Sequence, residues 1–233
     1  MEIHVLASGS TGNAYTISDG ASSLLLDAGI SMKALQIGTR FKLSSLSGAL
    51  ITHEHKDHSR AVRDLARFGV DVYASLGTLE ACGVTGRRLH PVRAREEFAA
   101  GTFKVLPFDV EHDAREPLGF LCASTATGEK LLYFTDTYFV RYRFRGLTHI
   151  MAECNHTERG LWNSVAEGRV SPELAARLVK SHMSLEHLLE MLQANDLSRV
   201  QQIYLLHLSD NNSEEQRMKE AVQRLTGVEV YVC

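Results

Sequence analysis

His53-Glu54-His55-Lys56-Asp57-His58 places three imidazoles and an aspartate within six positions, directly after the apolar run Ala49-Leu50-Ile51-Thr52. Imidazole and carboxylate together are the donors of zinc, manganese or iron sites, and no thiolate lies nearby to suggest a structural cysteine site. A strand ending at Thr52 would deliver His53 and His55 from one loop, with Asp57 and His58 at the start of the helix that follows. Neighbouring side chains on a tight turn point different ways, so such a loop can serve two adjacent ions. A solvated polar turn is the competing reading, but three histidines at this spacing rarely arise by chance. The chemistry expected is metal-assisted hydrolysis.

A two-metal site needs more ligands than one loop supplies. Isolated donors stand at the ends of apolar runs elsewhere in the chain: Asp27 after Leu24-Leu25-Leu26, His112 after 105–110, Asp136 after 131–135, and His207 after Ile203-Tyr204-Leu205-Leu206.

The elements that must position these donors are legible from periodicity and turn residues. Alternation and turn signals predict strands at 3–6, 14–17 and 23–27, joined by Ser8-Gly9-Ser10-Thr11-Gly12-Asn13 and Asp19-Gly20. A short helix around 31–39 leads to a strand at 48–52. Ala61, Val62, Leu65, Ala66 and Phe68 mark one face of a helix, followed by a strand at 70–73 and a helix near 76–82. Further strands are expected at 103–109, 118–126, 130–135 and 147–153. Helices are expected at 172–181, where Ser171-Pro172-Glu173 supplies a cap and a first-turn proline, and at 184–193. A strand at 201–206, a helix from about 213 to 225 and a strand at 228–232 close the chain. This order, β-rich then α and repeated once, suggests two packed sheets with helices outside.

Asp27, the HxHxDH segment at 53–58, His112, Asp136 and His207 resemble, in order, the five sequence motifs of the metallo-β-lactamase superfamily. The similarity extends over essentially the whole chain and implies one domain over 1–233 with the α/β, four-layer αββα sandwich of that superfamily. Finer similarity is to the YycJ/WalJ-type exonuclease branch. It is carried by 7–13, by His112-Asp113 with Glu116-Pro117, by Glu153-Cys154-Asn155-His156, by Ser181-His182-Met183-Ser184, and by His207-Leu208-Ser209 with Asn211-Asn212. Thr157 stands where the branch usually has Asp.

The resemblance implies two divalent ions, zinc or manganese before iron. His53, His55 and His112 would hold one, Asp57, His58 and His207 the other, and Asp136 would bridge them. Asp57 and Asp136 are counted among the catalytic residues, and Asp27 is expected behind the ligands, holding an imidazole or the loop. The activity implied is that of a metal-dependent phosphodiesterase, an exonuclease on DNA or RNA. A thioester or lactone hydrolase on the same metals is the alternative, since one fold hosts many chemistries.

His182 and His156 are candidates to protonate a leaving alkoxide or to bond a phosphate oxygen. A helix-cap region and a loop contact are their bland alternatives. Arg141, Arg143 and Arg145 alternate with Tyr142 and Phe144, so an extended segment would array three guanidinium groups toward a nucleic-acid backbone; a solvated edge is the competing reading. Arg60, Arg63 and Arg67 form a similar stripe, read as an exposed helix face. Ser10 and Asn13 lie on a loop whose N–H groups could approach a phosphate, or that simply turns between two strands.

A net charge of −3 announces no nucleic-acid partner in bulk and leaves room for a local basic patch. The start of the chain lacks a signal-peptide pattern and no apolar stretch approaches membrane-spanning length, so a cytoplasmic location is expected. Four scattered cysteines without CxxC pairing predict reduced thiols.

Overall fold

The computed structural model describes residues 1–209 and 214–233; the branch-like Asn211 and Asn212 lie outside the described residues. The chain forms two compact units, one of residues 1–109 and 114–129, the other of 110–113 and 130–233.

The first unit opens with strands β1 (Glu2–Ala7), β2 (Ala14–Ser18) and β3 (Ser23–Leu26). These pair antiparallel because short polar turns join them. After β3 come α1 (Met32–Gly38), β4 (Gly48–Leu50), the single turn α2 (Lys56–Ser59), α3 (Val62–Phe68), β5 (Val72–Ser75), α4 (Leu76–Ala81) and β6 (Leu89–Val92). The helical crossovers return the chain to the same edge, so β3 to β6 run parallel and complete a six-stranded sheet in sequence order. Leu25, Ala49, Ile51, Leu65 and Val72 fill the core between this sheet and its helices. An antiparallel meander of β7 (Phe98–Ala100), β8 (Phe103–Asp109) and β9 (Leu118–Ser124) belongs to the same unit.

The second unit is built on four parallel strands, β10 (Lys130–Phe134), β11 (His149–Glu153), β12 (Gln202–Leu206) and β13 (Glu229–Val232). Between β11 and β12 stand α5 (Glu158–Ala166), α6 (Pro172–Ser181) and α7 (Leu185–Gln193); α8 (Glu215–Thr226) precedes β13. Side-chain caps at Thr157, Ser171 and Ser184 start α5, α6 and α7.

Three elements escape the periodicity rules. In β6, Pro91 and charged neighbours mask a strand that tolerates proline because it lies at the sheet edge. β7 is three residues long. In α5, Gly160 and a thin apolar stripe hide the helix, whose Leu161 packs with Val170 and Ala175 in a small cluster of its own. Cys122 and Cys154 are buried free thiols. Among the described residues no helix is long and apolar enough to cross a membrane.

Candidate metal centre

In the first unit the donors lie on the connection that follows β4. The parallel register Leu26↔Leu50 ends β3 and β4 at one edge, which brings Asp27 beside Thr52. Asp27 is fully buried and adopts a left-handed backbone, φ 56°, uncommon for a residue other than glycine. Its carboxylate accepts from the Thr52 N–H at 2.8 Å, from the Thr52 hydroxyl at 3.0 Å and from His58 Nδ1 at 2.8 Å. One buried acid therefore ties both the entry and the exit of the donor loop.

With Nδ1 of His58 donating to Asp27, Nε2 carries the lone pair, 3.4 Å from an Asp57 carboxylate oxygen. His53 Nε2 and His55 Nδ1 stand 3.1 Å apart. Two nitrogens sharing a tetrahedral ion at ordinary bond lengths are separated by about 3.3 Å, so this pair fits a common divalent cation. Glu54 points elsewhere and accepts from the Arg115 N–H at 2.8 Å.

The loop is pressed onto its neighbours. Asn13 N–H donates to the Asp57 carbonyl at 2.7 Å and Ala28 N–H to the His58 carbonyl at 2.8 Å. A Cβ on Gly29 would lie 1.6 Å from the Asp57 carbonyl oxygen, so only glycine permits this approach. The Asn13 side chain is buried, donating to the Gly9 carbonyl at 3.0 Å with its amide 3.1 Å from His58 Nε2, and accepting from Tyr15 Oη at 2.9 Å. Ser10 on the same turn is exposed.

In the second unit the donors come from separate segments. The register Phe134↔Ala152 and Ala152↔Leu205 ends β10, β11 and β12 side by side, so Asp136, Glu153 and His207 meet at the carboxyl edge of the parallel strands. Asp136 and His207 both have left-handed backbones, φ 49° and 52°. His207 Nδ1 lies 2.5 Å from Asp136 Oδ1, which also accepts from the Thr135 hydroxyl at 2.8 Å. His112 joins them from the 110–113 segment. Its Nδ1 donates to the Ser181 carbonyl at 3.0 Å, which leaves the Nε2 lone pair 3.6 Å from Asp136 Oδ2. Burial lowers the His112 pKa and keeps the ring neutral, the form a metal ligand needs.

Glu153 stands in a branch-like motif of the sequence but is not among the expected site residues. It is fully buried, its Oε2 accepting from the Thr137 N–H at 2.9 Å and the Met183 N–H at 3.2 Å, and its Oε1 lying 2.6 Å from His182 Nδ1. An acid closing the otherwise apolar strand Ile150-Met151-Ala152 was the available signal. Burial alone would lower the His182 pKa; the Glu153 charge and hydrogen bond prevail and hold it at about 9. The His182 ring lies 5.5 Å from that of His112 and 5.4 Å from that of His207. Asp136, Glu153, His182 and His207 each place a potential ligand atom within 4.8 Å of the others, a candidate metal-binding cluster.

His156 is not among the donor atoms brought together. Its backbone bridges to Ser184, and burial holds the ring neutral, with a pKa of about 4. Thr157 caps α5 by accepting from the Gly160 N–H at 2.9 Å, a task Asp performs equally well, and its hydroxyl bonds Glu214 at 3.0 Å. Arg141, Arg143 and Arg145 are exposed while Val140 and Phe144 are buried. The alternation is present, though 140–145 forms no strand, and Arg141 is ion-paired with Glu111.

The beta-lactamase superfamily domain matches residues 23–208. The chain belongs to the metallo-β-lactamase superfamily. It is a metal-dependent hydrolase with that superfamily's α/β sandwich fold, in which mixed sheets are flanked by helices. The exodeoxyribonuclease YycJ of Bacillus anthracis is 32% identical over 232 residues, covering 92% of this chain and 85% of that protein. The exodeoxyribonuclease WalJ of Streptococcus pneumoniae D39 is 31% identical over 244 residues, covering 98% and 89%. Among solved structures, the fold of YhfI from Bacillus subtilis superposes with a TM-score of 0.73 at 14% identity, covering 99% of this chain and 95% of that one. Yeast PDE1 gives 0.71 at 10% identity, covering 99% and 96%.

Proposed function

We propose that this hydrolase is a phosphodiesterase that shortens nucleic-acid strands from an end, in the cytoplasm, with both units serving one catalytic domain. In the superfamily order, His53, His55 and His112 would hold one divalent ion, Asp57, His58 and His207 would hold the second, and Asp136 would serve both. Zinc or manganese suits these donors. A bound pair supplies a hydroxide at neutral pH and charge for the phosphoryl oxygens.

The chain's own residues do the rest. Asp27 and the Ser181 carbonyl fix the tautomers of His58 and His112, so that Nε2 of each carries the lone pair. Arg141, Arg143 and Arg145 attract the strand, and N–H groups of the Ser10 turn, seated by Asn13, approach a phosphate. His156 stays neutral and orders the segment that carries Glu153.

The observation that carries this reading is the Glu153–His182 pair beside Asp136 and His207. An internucleotide bond breaks with an alkoxide leaving, and an alkoxide needs a proton. Glu153 holds His182 by Nδ1 and leaves the other ring nitrogen to deliver that proton. A thiolate leaving from a thioester has no such need. The relatives named exodeoxyribonucleases make DNA the first substrate to test.

The test is to incubate zinc- or manganese-loaded protein with end-labelled single- and double-stranded DNA and RNA, beside a thioester and a lactone. Stepwise shortening from one end is expected. Turnover confined to the small esters would overturn the phosphodiesterase reading, and internal cuts alone would overturn the exonuclease.

A further inference from the structure

Away from the donor loop, α3 and the segment before β6 enclose a cleft of about 350 Å³ in the first unit. Its walls carry four guanidinium groups: Arg63 and Arg67, one turn apart on α3, and Arg87 and Arg88 from the connecting segment, with Thr85 among them. Among the described residues no Asp or Glu lines it. For a chain of net charge −3, this is a marked local concentration of positive charge.

Two of the four are fixed. Arg63 donates to the Gly83 carbonyl at 3.0 Å, and Arg88 pairs with Asp71 at 2.8 Å. Arg67 and Arg87 are exposed and have no carboxylate partner among the described residues. Capping of the nearby helix ends does not explain them. Gly69, left-handed at φ 100°, closes α3 through its own N–H, and the N–H groups of Cys82, Gly83 and Val84 close α4. With Arg88 offset by Asp71, three guanidinium charges around one cleft still repel, and an anion relieves that repulsion. The guanidinium fork matches phosphoryl oxygens in particular.

The cleft is also separate from the metal-binding chemistry. His53–His58 leaves the carboxyl end of β4, whereas the 83–88 segment enters the amino end of β6, and β4, β5 and β6 are parallel. No residue lining the cleft belongs to the 53–58 segment, although Cys82, next to Gly83, bonds Ser59 just after that segment.

We propose that this cleft is a second, non-catalytic site for a phosphoryl group, carried either by a free nucleotide or by a strand whose end is being processed elsewhere on the protein. The strand alternative rests on the nuclease reading; the nucleotide alternative does not.

The test compares the metal-loaded full chain with its Arg67→Gln/Arg87→Gln variant. Deoxythymidine monophosphate at ten times its Kd should raise the parent's Tm by about 3 °C or more and the variant's by clearly less, the remainder being whatever the metal centre itself binds. The variant without ligand should unfold no lower than the parent, because repulsion is relieved; a lower Tm would make the arginines structural and overturn the site. Hydrolysis of bis-p-nitrophenyl phosphate should be equal in both. Binding of a cleavage-resistant phosphorothioate oligonucleotide is then measured against salt, and a slope about 1.4 shallower in the variant identifies the strand as the source of the phosphoryl group. A nucleotide effect without a slope change identifies the free nucleotide. Neither effect, in a parent that still shortens DNA, overturns the cleft and leaves the nuclease standing. A parent that shortens no strand but keeps the nucleotide effect does the reverse.

Discussion

The first unit carries its candidate donors on six neighbouring residues, 53–58, whereas the second gathers the candidate cluster of His112, Asp136, Glu153, His182 and His207 from segments far apart in the chain. The two arrangements are held differently. A loop has no ladder to fix it, so the first unit supplies external restraints: Asp27 grips Thr52 and His58, and Gly29 lets Asp57 settle onto the backbone. In the second unit, parallel register alone brings the ends of β10, β11 and β12 level, and one buried acid, Glu153, positions the remaining histidine. A contiguous motif is thus easy to read and needs tethering; a dispersed one is hard to read and is placed by the sheet.

The strongest way to break that contrast is to remove a donor from each side. Asp136→Ala and His53→Ala should each lower hydrolysis by about 10³-fold or more and reduce metal content, with circular dichroism nearly unchanged, because both residues lie beyond strand ends. Activity retained in either variant would remove that residue from the proposed ligand set.

Glu153→Gln sharpens the second half of the contrast. Oligonucleotide cleavage should drop by about 10²-fold, while bis-p-nitrophenyl phosphate, whose leaving group departs without a proton, should lose far less. Equal losses on both substrates would reduce Glu153 to a structural prop. The upper pH limit of activity that relies on protonated His182 should move to lower pH in the variant, since Glu153 is what holds that pKa up.

Asp27→Asn probes the tether. The Asn side chain cannot accept from all three donors as the carboxylate does, so metal affinity should fall about 10-fold and stability by about 2 kcal/mol. Titration with zinc and denaturant unfolding would measure both. Unchanged metal affinity would mean that the loop holds its shape unaided.

The smallest effect is expected far from the donors. Burial raises the Asp19 pKa, but the hydroxyls of Ser124 and Thr102 and the N–H groups of Ser22 and Ala21 outweigh it and bring the value to about 2. A depressed carboxylate stabilises the fold fully above its unfolded pKa of about 4, and that contribution is lost as pH falls through about 2. Asp19→Asn should therefore be less stable than the parent at neutral pH, with the gap closing between about pH 4 and pH 2. Acid titration of both proteins would check it, and a gap independent of pH would assign the effect to hydrogen bonding alone.

The local sequence was enough to single out the 53–58 segment, Asp27, Asp136 and His207 as candidates, because metal-ligand spacing and the ends of apolar runs are properties of neighbouring residues. It was also enough for α6, whose serine cap and first-turn proline mark its start. β6 stayed hidden because Pro91 reads as a breaker until the strand is known to lie on an edge, and α5 because its apolar stripe packs only on a small cluster of its own. The role of Glu153 was out of reach for a different reason. Nothing within several residues of it names His182 as its partner, and the pairing spans 29 positions. Only tertiary structure decides such contacts, since burial of the acid, the level ends of the strands and the turn after α6 must all be in place before the carboxylate can meet the ring.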